Sequence, residues 1–277
     1  LAETGERMRS SLSMFRKYRI GYIVSAIIGA AVILPVGMAL AGDRTGYRIA
    51  VFAASLTWIM GCANFFIGLT KKKLAELMKL YEDCRISEFI KEYRDVVNQG
   101  VFGEARDFAL INLTAGYTMA GNFEAALGAL RSVNPNFSHR PSGISAAAAY
   151  YNNLCLYCIE VNDIYGAEQS IRQLGDLLTK PAISSAYEKL IRRSLESKKA
   201  LLDMRKGNYD GKAVVFRRLF DTAATLAERV SCAYRLAGIS RYFGNGDEEK
   251  DWLTFVAENG RDTRYAVMAR RMLSAAL

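Results

Sequence analysis

Cys155 and Cys158 form a C-x-x-C spacing, which in another setting holds a metal or runs thiol–disulfide exchange. A structural zinc site needs four ligands of this kind. The other cysteines, Cys62, Cys84 and Cys232, are scattered singly, and His139 is the one histidine of the chain, so no four-ligand set assembles. Cys155 and Cys158 therefore read as small core thiols beside Leu154 and Leu156, and five scattered cysteines give no disulfide framework. Carboxylates gather at Asp247, Glu248, Glu249 and Asp251, but their spacing is not that of a calcium loop. Acids there suit the positive end of a helix dipole. A Walker loop, H-E-x-x-H and G-x-S-x-G are all absent. The expectation is a protein that is not an enzyme, with no cofactor and no metal.

The elements that carry these residues read as helical. From Lys71 onward apolar residues recur three or four apart, with breaks at Gly100, at Asn134 to Gly143, near Pro181 and at Gly207, and no stretch alternates as a strand would. One segment is more specific: Leu113, Tyr117, Gly121, Phe123, Ala126 and Leu130 place a small residue at a turn and an Ala where two helices cross. This spacing resembles the tetratricopeptide (TPR) repeat. It recurs as Leu154, Cys158, Asn162, Ile164, Ala167 and Ile171, where Asn162 takes the left-handed turn position of Gly121. Further copies lie around Gly207, Tyr209, Phe216 and Leu219 and around Leu236, Gly244, Leu253 and Val256. The turns are 41, 45 and 37 residues apart, longer than the family's period, and the family's Trp and terminal Pro are missing. In the third copy Glu196, Lys199 and Asp203 occupy positions that should face the core. The resemblance covers roughly Phe108 to Val256, and it implies stacked helix pairs sharing one continuous core.

TPR stacks present the first helix of each pair to a concave groove that holds an extended peptide. The resemblance places Asn112, Asn153, Lys198 and Arg235 at the groove-facing position of successive copies. An Asn there bonds a peptide backbone, since its amide both donates and accepts, and Lys or Arg holds a carboxylate. The implied partner is a protein or peptide.

Ahead of the repeats stand two apolar runs, Ile20 to Ala41 and Ile49 to Leu69, without a charged side chain in either. At about 1.5 Å per residue each is long enough to cross about 30 Å of hydrocarbon, and the short link Gly42 to Arg48 makes them a helical hairpin. Gly21, Ser25 and Gly29 recur every fourth residue on one face, a small-residue stripe for close helix packing, within the hairpin or between copies of the chain. Pro35 is expected to kink the first helix. Arg7, Arg9, Arg16, Lys17 and Arg19 before the first run and Lys71, Lys72 and Lys73 after the second place both termini in the cytoplasm. These flanks suit anionic head groups. The net charge of +9 gathers there rather than in a stripe interleaved with aromatics, so nucleic acid is not an expected partner. Residues 1–7 are read as an appended remnant.

The expected fold class is all-α: a basic segment over 1–19, a transmembrane hairpin over 20–69, and a cytoplasmic TPR-like α-solenoid over 70–277. The expected function is a membrane-anchored adaptor or scaffold, in a bacterial cytoplasmic membrane by resemblance. The alternative is a structural subunit of a larger secretion or transport complex assembled through the hairpin.

Overall fold

The computed structural model describes residues 17–18, 20–41, 45–98, 104–137, 143–180 and 183–275. Among them the chain is all-α, with no strand. Two compact units are distinguished, Leu1–Glu76 with Asp95–Ala105 and Leu77–Arg94 with Arg106–Leu277.

In the first unit residues 20–28 are helical, Gly29–Ile33 form a π-helical turn, and α1 (Leu34–Ala41) follows. Pro35 cannot donate a backbone hydrogen bond, and the helix widens into the wider-pitched turn just before it. The second apolar run continues without a break into α2 (Thr45–Glu82), past the lysines at its end. This is the single helix among the described residues that is long and apolar enough to cross a membrane. The two runs lie side by side in opposite directions. A Cβ at Gly21 would fall 2.8 Å from the ring of Phe66, one at Gly29 would fall 2.8 Å from Trp58, and one at Gly37 would collide with Val51. Trp58 Nε1 donates to the Ser25 carbonyl at 3.2 Å. Close approach therefore depends on the missing side chains at these glycines.

The second unit is a series of helix pairs: the end of α2 with α3 (Ile86–Asn98), α4 (Glu104–Ala120) with α5 (Phe123–Arg131), α6 (Gly143–Glu160) with α7 (Ile164–Asp176), α8 (Ser185–Arg205) with α9 (Lys212–Asp221), and α10 (Leu226–Tyr242) with α11 (Gly246–Asn259). A last helix, α12 (Arg264–Ala275), follows. Each pair turns through the same device. Cys84, Gly121, Asn162, Gly207 and Gly244 all have positive φ, between 60° and 87°. At each, the following amide reaches back to a carbonyl of the last helical turn: Asn122 to Tyr117, Asp163 to Cys158 and Asn245 to Ser240, each at 2.8 Å, and Asn208 to Asp203 at 2.9 Å. The left-handed residue thus satisfies carbonyls that the helix end leaves open. The next residue often starts the partner helix, as Asn122, Asp163 and Asn245 do by accepting from the amides of Ala125, Gly166 and Glu248. The acidic cluster after Gly244 falls in the first turn of α11. Asn162→Ala is expected to cost about 1 kcal/mol, the penalty of a Cβ in the left-handed region without a side-chain amide to offset it. Asn162→Gly should cost nothing, and thermal unfolding of the two variants checks the difference.

The series closes on itself. The Asp262 carboxylate, between α11 and α12, accepts from the amides of Ile86 and Ser87 at 2.8 and 2.7 Å, capping the start of α3. Cys84, Ile86 and Met119 share one buried cluster with Val230, Leu253, Val256, Tyr265 and Ala269. A second cluster joins Cys155, Cys158 and Ala167 to Leu201, Phe216, Leu219 and Leu236. The first helices and the last are neighbours in this unit.

Candidate functional site

The first helices of the pairs carry the polar residues that the sequence singles out, and the chain's own groups bond three of the four. Asn112 on α4 donates from Nδ2 to the Tyr93 hydroxyl of α3 at 3.1 Å. Asn153 on α6 is buried and donates from Nδ2 to the Ile111 carbonyl of α4 at 2.8 Å. Arg235 on α10 pairs with Glu160, the last residue of α6. Lys198 on α8 is only 8% exposed and makes no ion pair among the described residues. Burial lowers its pKa, with the neighbouring Arg235 acting in the same direction and Cys155, Cys232 and Glu160 opposing it. Of the four positions that the resemblance offers to a peptide, Asn112, Asn153 and Arg235 are bonded by groups of the chain itself.

Around Arg235 lies an arrangement that sequence reasoning missed. The Glu160 side chain is 3% exposed and pairs with Arg235 and Arg264, both largely buried, and with the more exposed Arg205 at 3.2 Å. The Tyr265 hydroxyl is shared: Arg235 donates to it at 2.7 Å and Arg264 at 3.2 Å, and it donates to Glu160 at 3.3 Å. The guanidinium of Arg264 stands 5.1 Å from the Phe123 ring centroid and 4.7 Å from that of Tyr265, and Arg235 lies 5.0 Å from Tyr265. These are cation–π contacts in a desolvated setting. Burial alone would raise the Glu160 carboxyl, but Arg235 and Arg264 outweigh it and hold the pKa down at about 2. Four helices, α6, α8, α10 and α12, meet through this one carboxylate. The only local hint was a charged residue ending the apolar run of α6, and nothing in the sequence joins it to a tyrosine 105 positions away.

The arrangement holds helices together and carries no nucleophile. Burial pushes the Cys155 thiol up to about 11 and the Cys158 thiol up to about 12, the latter with help from the Asp163 carboxylate. Neither is a thiolate at neutral pH. All five cysteines are unpaired, and no cluster of three metal-ligating side chains occurs among the described residues. His139 and the basic residues Arg7, Arg9, Arg16 and Arg19 lie outside the described residues. Gly21, Ser25 and Gly29 sit against the second apolar run, Gly21 and Gly29 through close approach and Ser25 through its carbonyl.

Compared with known protein families, with curated proteins and with solved structures, the chain matches none.

Proposed function

We propose that the chain is a membrane-anchored helical-repeat adaptor, similar to TPR proteins, that presents its second unit to a protein or peptide partner on the cytoplasmic side of a bacterial membrane. The carrying observation is the surface of the first unit. Ile20, Ile23, Val24, Ile27, Val32 and Val36 on one run and Ile49, Phe52, Leu56, Met60 and Phe65 on the other are all at least 43% exposed. The span within α2 has a mean hydropathy of 1.7 and is 6% buried. Contiguous apolar surface of this extent is unfavourable in water by about 25 cal/mol per Å2 and is matched by hydrocarbon. Both runs together form the two-helix anchor in this reading, with basic flanks at anionic head groups and both termini inside. Asn112, Asn153, Lys198 and Arg235 are assigned to shaping the inner face.

Sodium carbonate extraction of membranes from cells expressing the full chain is the test. The protein should remain in the pellet, and a version with residues 20–69 replaced by a soluble linker should be released. Release of the intact chain would remove the anchor. The engagement of the inner face by the chain itself also favours a second reading, a structural subunit of a larger membrane complex. That reading predicts a stoichiometric assembly that survives detergent extraction and is lost when the two apolar runs are replaced.

A further inference from the structure

Glu196, Lys199 and Asp203 break the repeat pattern by putting charge where the first helix of the third pair should face the core. Their placement explains the anomaly. Residues of α7, α8 and α9 surround two adjoining depressions of about 580 and about 340 Å3 that share Lys199 and Asp203. Leu178, Leu195, Ala200 and Val215 give the larger depression an apolar floor, and Ile171 and Leu202 line the smaller.

The charges around this groove do not cancel. Each of its carboxylates is already held: Asp203 by Lys212 at 2.6 Å, Glu168 by Lys206 at 2.6 Å, and Glu196 by Arg218. Arg192 is likewise committed, to Glu188 at 2.8 Å. Arg172 and Lys199 remain, both exposed, both lining the smaller depression, and neither in an ion pair among the described residues. The groove therefore combines an apolar floor with two exposed cations outside any ion pair among the described residues, Arg172 on α7, which also acts electrostatically on Glu168, and Lys199 on α8.

We propose that this groove binds an acidic, apolar peptide segment of a partner protein, its carboxylates meeting Arg172 and Lys199 and its apolar side chains filling the floor. Charge complementarity selects this occupant. A basic segment would meet cations with no free carboxylate to answer it, and a wholly apolar one would leave both cations desolvated and unpaired. The inference rests on the adaptor reading for its partner, and it locates the docking surface outside the inner face formed by Asn112, Asn153, Lys198 and Arg235.

The test is a fluorescence-anisotropy titration of the full chain in detergent with a short fluorescein-labelled peptide of glutamate and leucine, beside a lysine–leucine peptide of equal length. The acidic peptide should bind more tightly, and its affinity should fall as salt rises. The double variant Arg172→Glu with Lys199→Glu should bind it at least about tenfold more weakly, equivalent to about 1.4 kcal/mol. Both side chains are exposed, so folding should be retained, and circular dichroism checks this; Arg172→Gln with Lys199→Gln should give an intermediate loss. Equal binding by wild type and double variant, or equal binding of the two peptides, overturns the proposal. Crosslinking from native membranes, run in parallel, separates the two ideas. A partner held alike by wild type and variant leaves the adaptor reading standing while the groove assignment falls. No specific partner for the wild type removes the adaptor reading, and the titration decides the groove independently.

Discussion

Replacing Glu160 by Ala is expected to destabilise the second unit by about 3–5 kcal/mol, the range for removing one partner from a buried ionic cluster. The loss is large because Glu160 is the one carboxylate in ion-pair contact with Arg235 and Arg264 among the described residues, and its side chain is 3% exposed. Without it, two buried guanidinium groups are left with Tyr265 as their shared acceptor. Their Nε atoms have no hydrogen-bond partner among the described residues, so there is little to fall back on. The pH dependence has a definite sign. The folded carboxyl titrates at about 2, below its ordinary 4.5. The stability it supplies is complete above the ordinary value and drains away as pH falls from there toward about 2. Thermal unfolding of the full chain in mild detergent, followed by circular dichroism, should show wild type and Glu160→Ala far apart at neutral pH and converging in acid. A constant gap across that range would mean the carboxylate is not the source.

Lys198→Met is expected to act in the opposite direction and stabilise the protein by about 1–4 kcal/mol, as apolar replacement of buried charge often does. Lys198 is buried against Cys155 and Cys232 and near Arg235, with no carboxylate in ion-pair contact among the described residues. Methionine keeps most of the length and removes the ammonium that must be desolvated. The linkage again fixes the sign. The folded lysine has a lowered pKa, so the folded state binds fewer protons than the unfolded state between that value and 10.5. Wild-type stability therefore rises with pH across this window, and the advantage of the methionine variant shrinks. Unfolding measured at neutral and at alkaline pH checks both statements. A variant that is less stable at neutral pH would show that Lys198 is held by a partner.

The turn chemistry was legible in the sequence because it is local. A left-handed turn residue needs only its own position and its neighbours, and Gly121, Asn162, Gly207 and Gly244 all have positive φ. The equivalent turn at Cys84 was hidden, since a buried cysteine carries no such signal. Helical class was legible for the same reason, through the spacing of apolar residues. The Glu160 cluster was not, because it joins the end of α6 to α10 and α12, and no period relates residues so far apart in the chain. Asn112, Asn153, Lys198 and Arg235 fall on the first helices of their pairs, but sequence spacing cannot tell whether a polar face meets a ligand or another part of the same chain. Glu196, Lys199 and Asp203 looked like a register fault until the groove beside α8 accounted for them.

The bond from Asp262 to the amides of Ile86 and Ser87 bears on how such a chain can change over generations. An open row of helix pairs tolerates duplication or loss of a member, because each touches only its neighbours. Here the last turn must return to the first, so an added or deleted pair would carry Asp262 away from α3 and part the buried cluster around Tyr265. A pair added or lost between these two points would disturb the contact, whereas a longer loop would leave it intact.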